Sequence, residues 1–331
     1  MTTPQNRSNA VIRPLVESDL AEADRIFRLA FATFLGLPPD DPRMTSDADL
    51  VRTRWKTDPS AVLAAEHKGK FIGSNFATNW GSFAFFGPLT VEPAYWNRGV
   101  AQQLLAPTME IFRRWGSRHL GLYTFANSPK HMTLYQKFGF WPRALVAIME
   151  RPVEAQLNAE RARLAGATLY SGARPADRAQ LLGACREVTD AIFEGLDLQR
   201  DIRAANDQKL GETILIWDGS WLAAFAVCHS GPGTEAGTGV CYVKFAAARP
   251  NPQGDARASA DFARLLDAVE AYARSVGARK ITAGVNLARR EAFREMFARG
   301  FRTAIQGVAM ESGGETSGYN RAGVYILDDW R

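Results

Sequence analysis

Cysteine is scarce in this chain: three residues in 331, Cys185, Cys228 and Cys241, an odd number without the close spacing of a metal site. Disulfides and thiolate metal centres are therefore not its organising devices, and the thiols read as small buried hydrophobes in a reducing compartment. No apolar run approaches the ~20 residues of a membrane span. The first ten residues are polar and hold no signal-type apolar core, so the expectation is a soluble, cytoplasmic protein with no membrane partner. Charge of one sign is also missing: 40 basic against 35 acidic residues leave +5, spread without a block of either sign. That balance argues against a nucleic-acid partner and suits a polyanionic cofactor. What the chain does have is length and apolar content, 331 residues at 46% hydrophobic, enough for two domains with a core each.

One segment is more informative than the rest. Residues 91–105, Val-Glu-Pro-Ala-Tyr-Trp-Asn-Arg-Gly-Val-Ala-Gln-Gln-Leu-Leu, read as the end of an apolar strand turning through a tight loop into an amphipathic helix. Gly99 and Ala101 present little side chain where backbone would meet a ligand, and the first N–H groups of a helix have no intrahelical acceptors. An anion such as a pyrophosphate fits there, although a bare strand–loop–helix turn also explains the segment. Downstream lie a strand (120–125), then Ala-Asn-Ser-Pro, then a helix (129–138) running into Leu134-Tyr135-Gln136-Lys137-Phe138-Gly139-Phe140.

Together, residues 84–150 resemble the GNAT superfamily of N-acetyltransferases, whose cofactor loop has the form Gln/Arg-x-x-Gly-x-Gly/Ala and whose later helix ends Leu-Tyr-x-x-x-Gly-Phe. The resemblance implies an α+β fold with a mixed, mostly antiparallel sheet flanked by helices, and acetyl-CoA as co-substrate with no metal. It assigns the cofactor loop to Trp96, Asn97, Arg98, Gly99, Val100, Ala101 and Gln102. It sets the backbone of Leu89 and Val91 beside the pantetheine, an N–H there polarising the thioester oxygen. Asn127 would contact the pantetheine or the base; a turn-forming Asn is the plain alternative. Trp96 stands where the family has Gln or Arg, so it offers an indole donor or a stacking face and no guanidinium; Asn97 and Arg98 could offset that.

The chain also repeats. An offset of 161 lays Arg174-Pro175 on Arg13-Pro14, Leu265-Leu266 on Leu104-Leu105, Gly277 on Gly116 and Gly300-Phe301 on Gly139-Phe140. The expectation is two tandem GNAT-like domains: a cofactor-binding catalytic domain at 1–150, a connector of helical character at 151–166, and a degenerate copy at 167–331. In the first, strands are expected at 11–15, 61–66, 71–79 and 83–91, a helix at 19–35, and a hairpin turn at Lys68-Gly69-Lys70. In the second, strands fall at 213–217, 221–228 and 240–247, with a turn at Asp218-Gly219-Ser220. Polar loops at 230–239 and 312–323 read as insertions or mobile lids. At the shared offset Gly99 becomes Ala260, Ala101 becomes Phe262 and Tyr135 becomes Met296, so a phenyl ring would fill the cofactor's space and no phenol remains.

Acetyl transfer to an amine poses two proton problems. An amine of pKa ~10.4 is neutral in only about one molecule in 2,500 at pH 7, a deficit of about 4.6 kcal/mol, and the departing thiolate must be protonated. By resemblance Tyr135 is the acid; the plain alternative is a core aromatic at helical spacing with Phe138. Glu92, at the strand end, is the candidate base or else a solvated strand terminus. His67, His119 and His131 read as structural or surface histidines, and a water relay stays open. Trp55, Trp80, Phe83, Phe85 and Phe86 line an acceptor cavity or, more simply, fill the core. The leading reading is direct transfer of acetyl to a primary amine, small-molecule or peptide, in the first domain. The alternative is a non-catalytic acyl-CoA-binding or scaffold module. A homodimer is left open.

Overall fold

The computed structural model describes residues 9–38, 40–41, 44–154, 166–250, 255–312 and 318–331. The first half runs β1 (Val11–Pro14), α1 (Leu20–Leu35), α2 (Leu50–Thr57), β2 (Val62–His67), β3 (Lys70–Trp80), β4 (Phe83–Val91), α3 (Val100–Trp115), β5 (His119–Phe125), α4 (Pro129–Gln136) and β6 (Phe140–Pro152). The second runs β7 (Thr168–Leu169), α5 (Arg178–Ile192), α6 (Gln199–Asp207), β8 (Gly211–Asp218), β9 (Trp221–Gly231), β10 (Gly237–Ala248), α7 (Asp255–Ser275), β11 (Lys280–Asn286), α8 (Arg290–Ala298), β12 (Arg302–Ser312) and β13 (Ile326–Leu327). α1 buries Leu20, Ala23, Ile26 and Ala30 at helical spacing and stops at Gly36, whose φ of +66° lets its N–H return to the last turn. The β2–β3 turn puts Lys68 and Gly69 at φ +52° and +78°, the left-handed pair a tight hairpin requires.

Among the described residues, thirteen strands form one mixed, mostly antiparallel sheet, in the order β1-β2-β3-β4-β5-β12-β6-β11-β10-β9-β8-β7, with β13 alongside β10. Its centre is an exchange. β6 and β12 occupy equivalent places in the repeat, yet β12 of the second half pairs with β5 of the first, while β6 pairs with β11. Side chains follow their strands: Val308 and Met310 of β12 pack with α3 and β5 in the first half's core, and Ala147 and Met149 of β6 pack under α7 in the second's. Residues 151–152, read as connector, still pair in β6 with 280–281. The expected helical character of that connector falls mostly on 155–165, outside the described residues.

Alternation along the strands separates the two faces. Leu63, Ala65, Ile72, Ala77, Ala84 and Phe86 meet α3, whereas Val62, Ala64, Phe71 and Phe76 meet α1. Trp80, Phe83 and Phe85 pack with α5 and α6 in a core shared by the halves, so the aromatic run is packing. The Trp80 indole donates to Asp201 across that boundary (2.8 Å). Trp55 donates to the Leu15 carbonyl. All three cysteines are buried. The polar segment 230–239 is no lid: it completes the β9–β10 hairpin, and its tip docks on the first half, with Asp49 N–H to Thr234 O at 2.8 Å and Gly233 N–H to Asp47 O at 2.9 Å. Its polarity misled because Thr234 and Glu235 are buried against partners far away in sequence. In 312–323, residues 313–317 lie outside the described residues, and Tyr319 is buried in the shared core.

Exchanged strands couple the halves. Met310→Ala removes a fully buried side chain that belongs by sequence to the second half and by packing to the first, and is expected to cost about 2–5 kcal/mol. Urea unfolding followed by a probe in each half should shift as one transition; two transitions, only one displaced, would show independent halves.

Candidate functional site

β4 and β5 run parallel and pair at Phe83–His119, Ala84–Leu120 and Phe85–Gly121, then part. Against β3, Asn75 faces Leu89 and Ala77 faces Phe86, so two β4 residues, Gly87 and Pro88, oppose one. Such a bulge bends its strand. Gly87 takes a φ of +153°, rarely adopted by residues with a side chain. Beyond the bulge, among the described residues, the side of β4 turned toward β5 has no strand partner. Backbone amides there call for one. Leu89 is half-buried and Val91 buried at this edge.

The strand then leads into the loop singled out in the sequence. Glu92 is buried, with its carboxylate held by Lys70 at 2.9 Å and Arg25 at 3.4 Å. A short 3-10 turn follows, and the Trp96 indole N–H donates to the Val91 carbonyl at 2.7 Å. The indole donor is thus spent inside the protein; the outer ring face carries the Lys130 ammonium 5.5 Å from its centroid. Asn97 at φ +63° and Gly99 at φ +80° turn the chain into α3. Among the described residues, the N–H groups of Gly99, Val100, Ala101 and Gln102 have no backbone acceptor, and the first return bond is Gln103 N–H to Gly99 O at 3.2 Å. Val100 anchors the turn in the core, Ala101 and Gln102 are half-buried, and Asn97 and Arg98 are exposed, Arg98 lying over the Tyr95 ring. Four donors at a helix start, with the dipole behind them, have the geometry that suits an anion.

On the same face Tyr135 sits in α4, 7% exposed, against Phe86 and His131. Burial pushes its phenol above the usual tyrosine range, and a hydrogen bond with Thr124 works in the opposite direction. Asn127 is exposed in the turn before Ser128, which caps α4. His131 packs between Phe34 of α1 and Tyr135; burial, then Lys130, lowers its pKa. His119 lies at the other end of β5, buried beside Glu311, its pKa brought down to about 4 by burial and then by Arg143. His67 flanks Tyr95 at the β2–β3 hairpin.

The second half has an equivalent parting, and the chain fills it. β10 and β11 pair in parallel over 240–243 and 280–283, after which β13 pairs with β10 at Ala246–Leu327 and Ala247–Ile326. Asp329 presses on Gly284 of β11, where a Cβ would fall 2.2 Å from it. The expected block by Ala260 and Phe262 is corrected here. α7 starts at Asp255, more than a turn before the repeat offset places it, so both residues lie within the helix. Phe262 is fully buried against Tyr325, 5.3 Å between rings, in the core instead of a ligand mouth. The loss of the phenol holds, since Met296 is buried on α8. Sequence reasoning missed β13, a two-residue strand beyond the last repeated landmark, and it missed Arg54 of α2, whose Nη1 donates to the Gly87 carbonyl at 2.6 Å.

The buried histidine makes a pH prediction. An unfolded imidazole titrates near 6.5, so between about pH 6.5 and 4 the unfolded chain takes a proton that folded His119 refuses. Stability contributed by its neutral form is full above pH 6.5 and is lost as pH falls through that window, on the order of 3 kcal/mol. In urea melts His119→Gln should flatten this slope; an unchanged slope would show that His119 is not its source.

Comparison with known proteins accords with this geometry. Residues 24–140 match the family model described as "Acetyltransferase (GNAT) family". No curated protein matches the chain. Among solved structures, a Pyrococcus horikoshii protein assigned to the acetyltransferases is similar over 100% of this chain and 96% of its own, at 16% identity and TM-score 0.65. A GCN5-related N-acetyltransferase from Sphaerobacter thermophilus covers 96% and 99%, at 16% identity and TM-score 0.56. A tandem GNAT protein from the clavulanic acid biosynthesis pathway covers 93% and 100%, at 12% identity and TM-score 0.55. Identities this low speak to the fold alone. Among the described residues no helix is long and apolar enough to cross a membrane. The first half thus carries a segment that matches the GNAT family model, the whole length shares its fold with tandem GNAT structures, and together they support a transferase of the acetyltransferase class.

Proposed function

We propose that this protein transfers an acetyl group from acetyl-CoA to a primary amine, small-molecule or peptide, within its first half. In this reading residues 1–150 form the catalytic domain, 151–166 the connector and 167–331 a copy that takes no cofactor. The observation that carries it is the parted edge of β4 ending at the N–H groups of Gly99–Gln102, which have no backbone acceptor among the described residues, with the phenol of Tyr135 buried on the same face. The donor supplies a thioester, whose carbonyl is open to direct attack by the amine. The chain does the rest. The loop amides, with Asn97, Arg98 and Trp96 around them, hold the diphosphate; Leu89 and Val91 align the amide arm; Asn127 closes its far end. Fixed donors in a water-poor slot stabilise developing charge without reorganisation.

Tyr135 is assigned as the acid. Burial keeps its phenol protonated throughout the neutral range, so it can donate to a departing thiolate. Glu92 is assigned to anchoring the strand end, since as a base it would have to act from between Lys70 and Arg25. The amine then loses its proton to water entering from the open end of the slot. The expended Trp96 indole favours the second reading, a binding module without turnover.

A thiol-release assay with acetyl-CoA over a broad amine panel separates the two. Tyr135→Phe should lower kcat by about a hundredfold or more, leave acetyl-CoA affinity little changed, and do so with chemistry shown to limit turnover. The wild-type rate should not decline on the alkaline side below the ordinary tyrosine pKa of ~10. A full rate in Tyr135→Phe removes the acid assignment; acetyl-CoA binding with no turnover favours the module.

A further inference from the structure

Arg54, with a side chain 7% exposed, spans two elements that the sequence keeps far apart. Its Nη1 donates to the carbonyl of Gly87 in the β4 bulge at 2.6 Å, and its Nη2 donates to Oε2 of Glu235 at 2.9 Å. Glu235 lies at the tip of the β9–β10 hairpin in the second half, its side chain 3% exposed, and its other oxygen accepts from Lys244. Burial alone would raise this carboxyl's pKa; Arg54 and Lys244 hold it well below the usual range, so it stays ionised. The tip is itself pinned to residues 47–49 by backbone bonds and by the Thr238 N–H to Asp47 at 2.8 Å. A planar guanidinium satisfies two acceptors in different directions, which a lysine ammonium on a longer, rotating stem does not reproduce.

We propose that the second half sets the shape of the acyl-transfer slot through this relay: Glu235 orients Arg54, and Arg54 holds the Gly87 carbonyl where β4 leaves β5. Both are positioning residues for the proposed transfer, and the inference rests on reading the parted β4 edge as its slot. Gly87 is the bulge residue, so the tether on its carbonyl governs where residues 88–91 lie. A displacement of about 1 Å at a reacting centre can cost about a hundredfold in rate. It also gives the copy without an open slot a task in the chemistry of the other.

Conservative variants test it, because removing one member of a buried pair outright threatens folding. Arg54→Lys keeps a cation opposite Glu235 and gives up the planar fork whose two nitrogens reach separate acceptors; Glu235→Gln keeps the shape and gives up the charge. For each, kcat and KM are measured together with amide hydrogen exchange across residues 86–91. The relay predicts that kcat falls by about tenfold or more in Arg54→Lys with KM for acetyl-CoA nearly unchanged, that exchange at 86–91 accelerates in both variants, and that adding Glu235→Gln to Arg54→Lys costs little more. A wild-type kcat in Arg54→Lys, or unchanged exchange at 86–91 in both variants, overturns it. Should the wild-type protein acetylate no amine, the proposed function fails, and the exchange measurement alone still decides the relay: faster exchange sustains the tether on β4, unchanged exchange refutes it.

Discussion

Two parallel strands that part leave backbone donors and acceptors that something must satisfy, and this one constraint organises the molecule. It arises twice, between β4 and β5 and between β10 and β11, because the chain repeats its fold. In the second half the chain answers it with its own residues, β13 against β10 and Asp329 against Gly284. In the first half no described strand lies there, and the same edge runs on to a helix start whose amides, among the described residues, also lack backbone acceptors. The proposed asymmetry of function follows from that difference in filling, more than from any single substitution in the second cofactor loop.

The exchange of β6 and β12 ties the two halves together. Strand β12 completes the sheet beside β5 and contributes Met310 to the core beneath α3, so the first half's candidate site stands on residues of the second. The hairpin tip carrying Glu235 adds a contact at the bulge itself. A shared core of Trp80, Phe83 and Phe85 with α5 and α6 completes the join. Burial on this scale ties the stability of one half to the packing of the other.

Much of this was legible in sequence where local chemistry dictates the outcome. The strand at 83–91 and the turns at Lys68-Gly69 and Asp218-Gly219 follow from alternation and from residues that accept positive φ. Gly99 does open α3, and Tyr135 does lie buried on α4, because a left-handed cap and an aromatic at helical spacing carry their own signals. What escaped was long-range. β6 and β12 have equivalent patterns, so either satisfies β5, and the selection between them lies in the packed whole. The start of α7 is hidden behind a proline-broken stretch, and the offset read from its far end placed it too late. Segment 230–239 looked like a solvated loop because its charge is neutralised by Arg54, which lies far earlier in the chain.

The central claim is that the first parting is a ligand slot and the second is closed. Amide hydrogen exchange of the full-length protein with and without saturating acetyl-CoA tests it most directly. The account predicts new protection in residues 88–91 and 98–102 and none along β10, β11 and β13. Protection confined to the second half, or none anywhere, would contradict it.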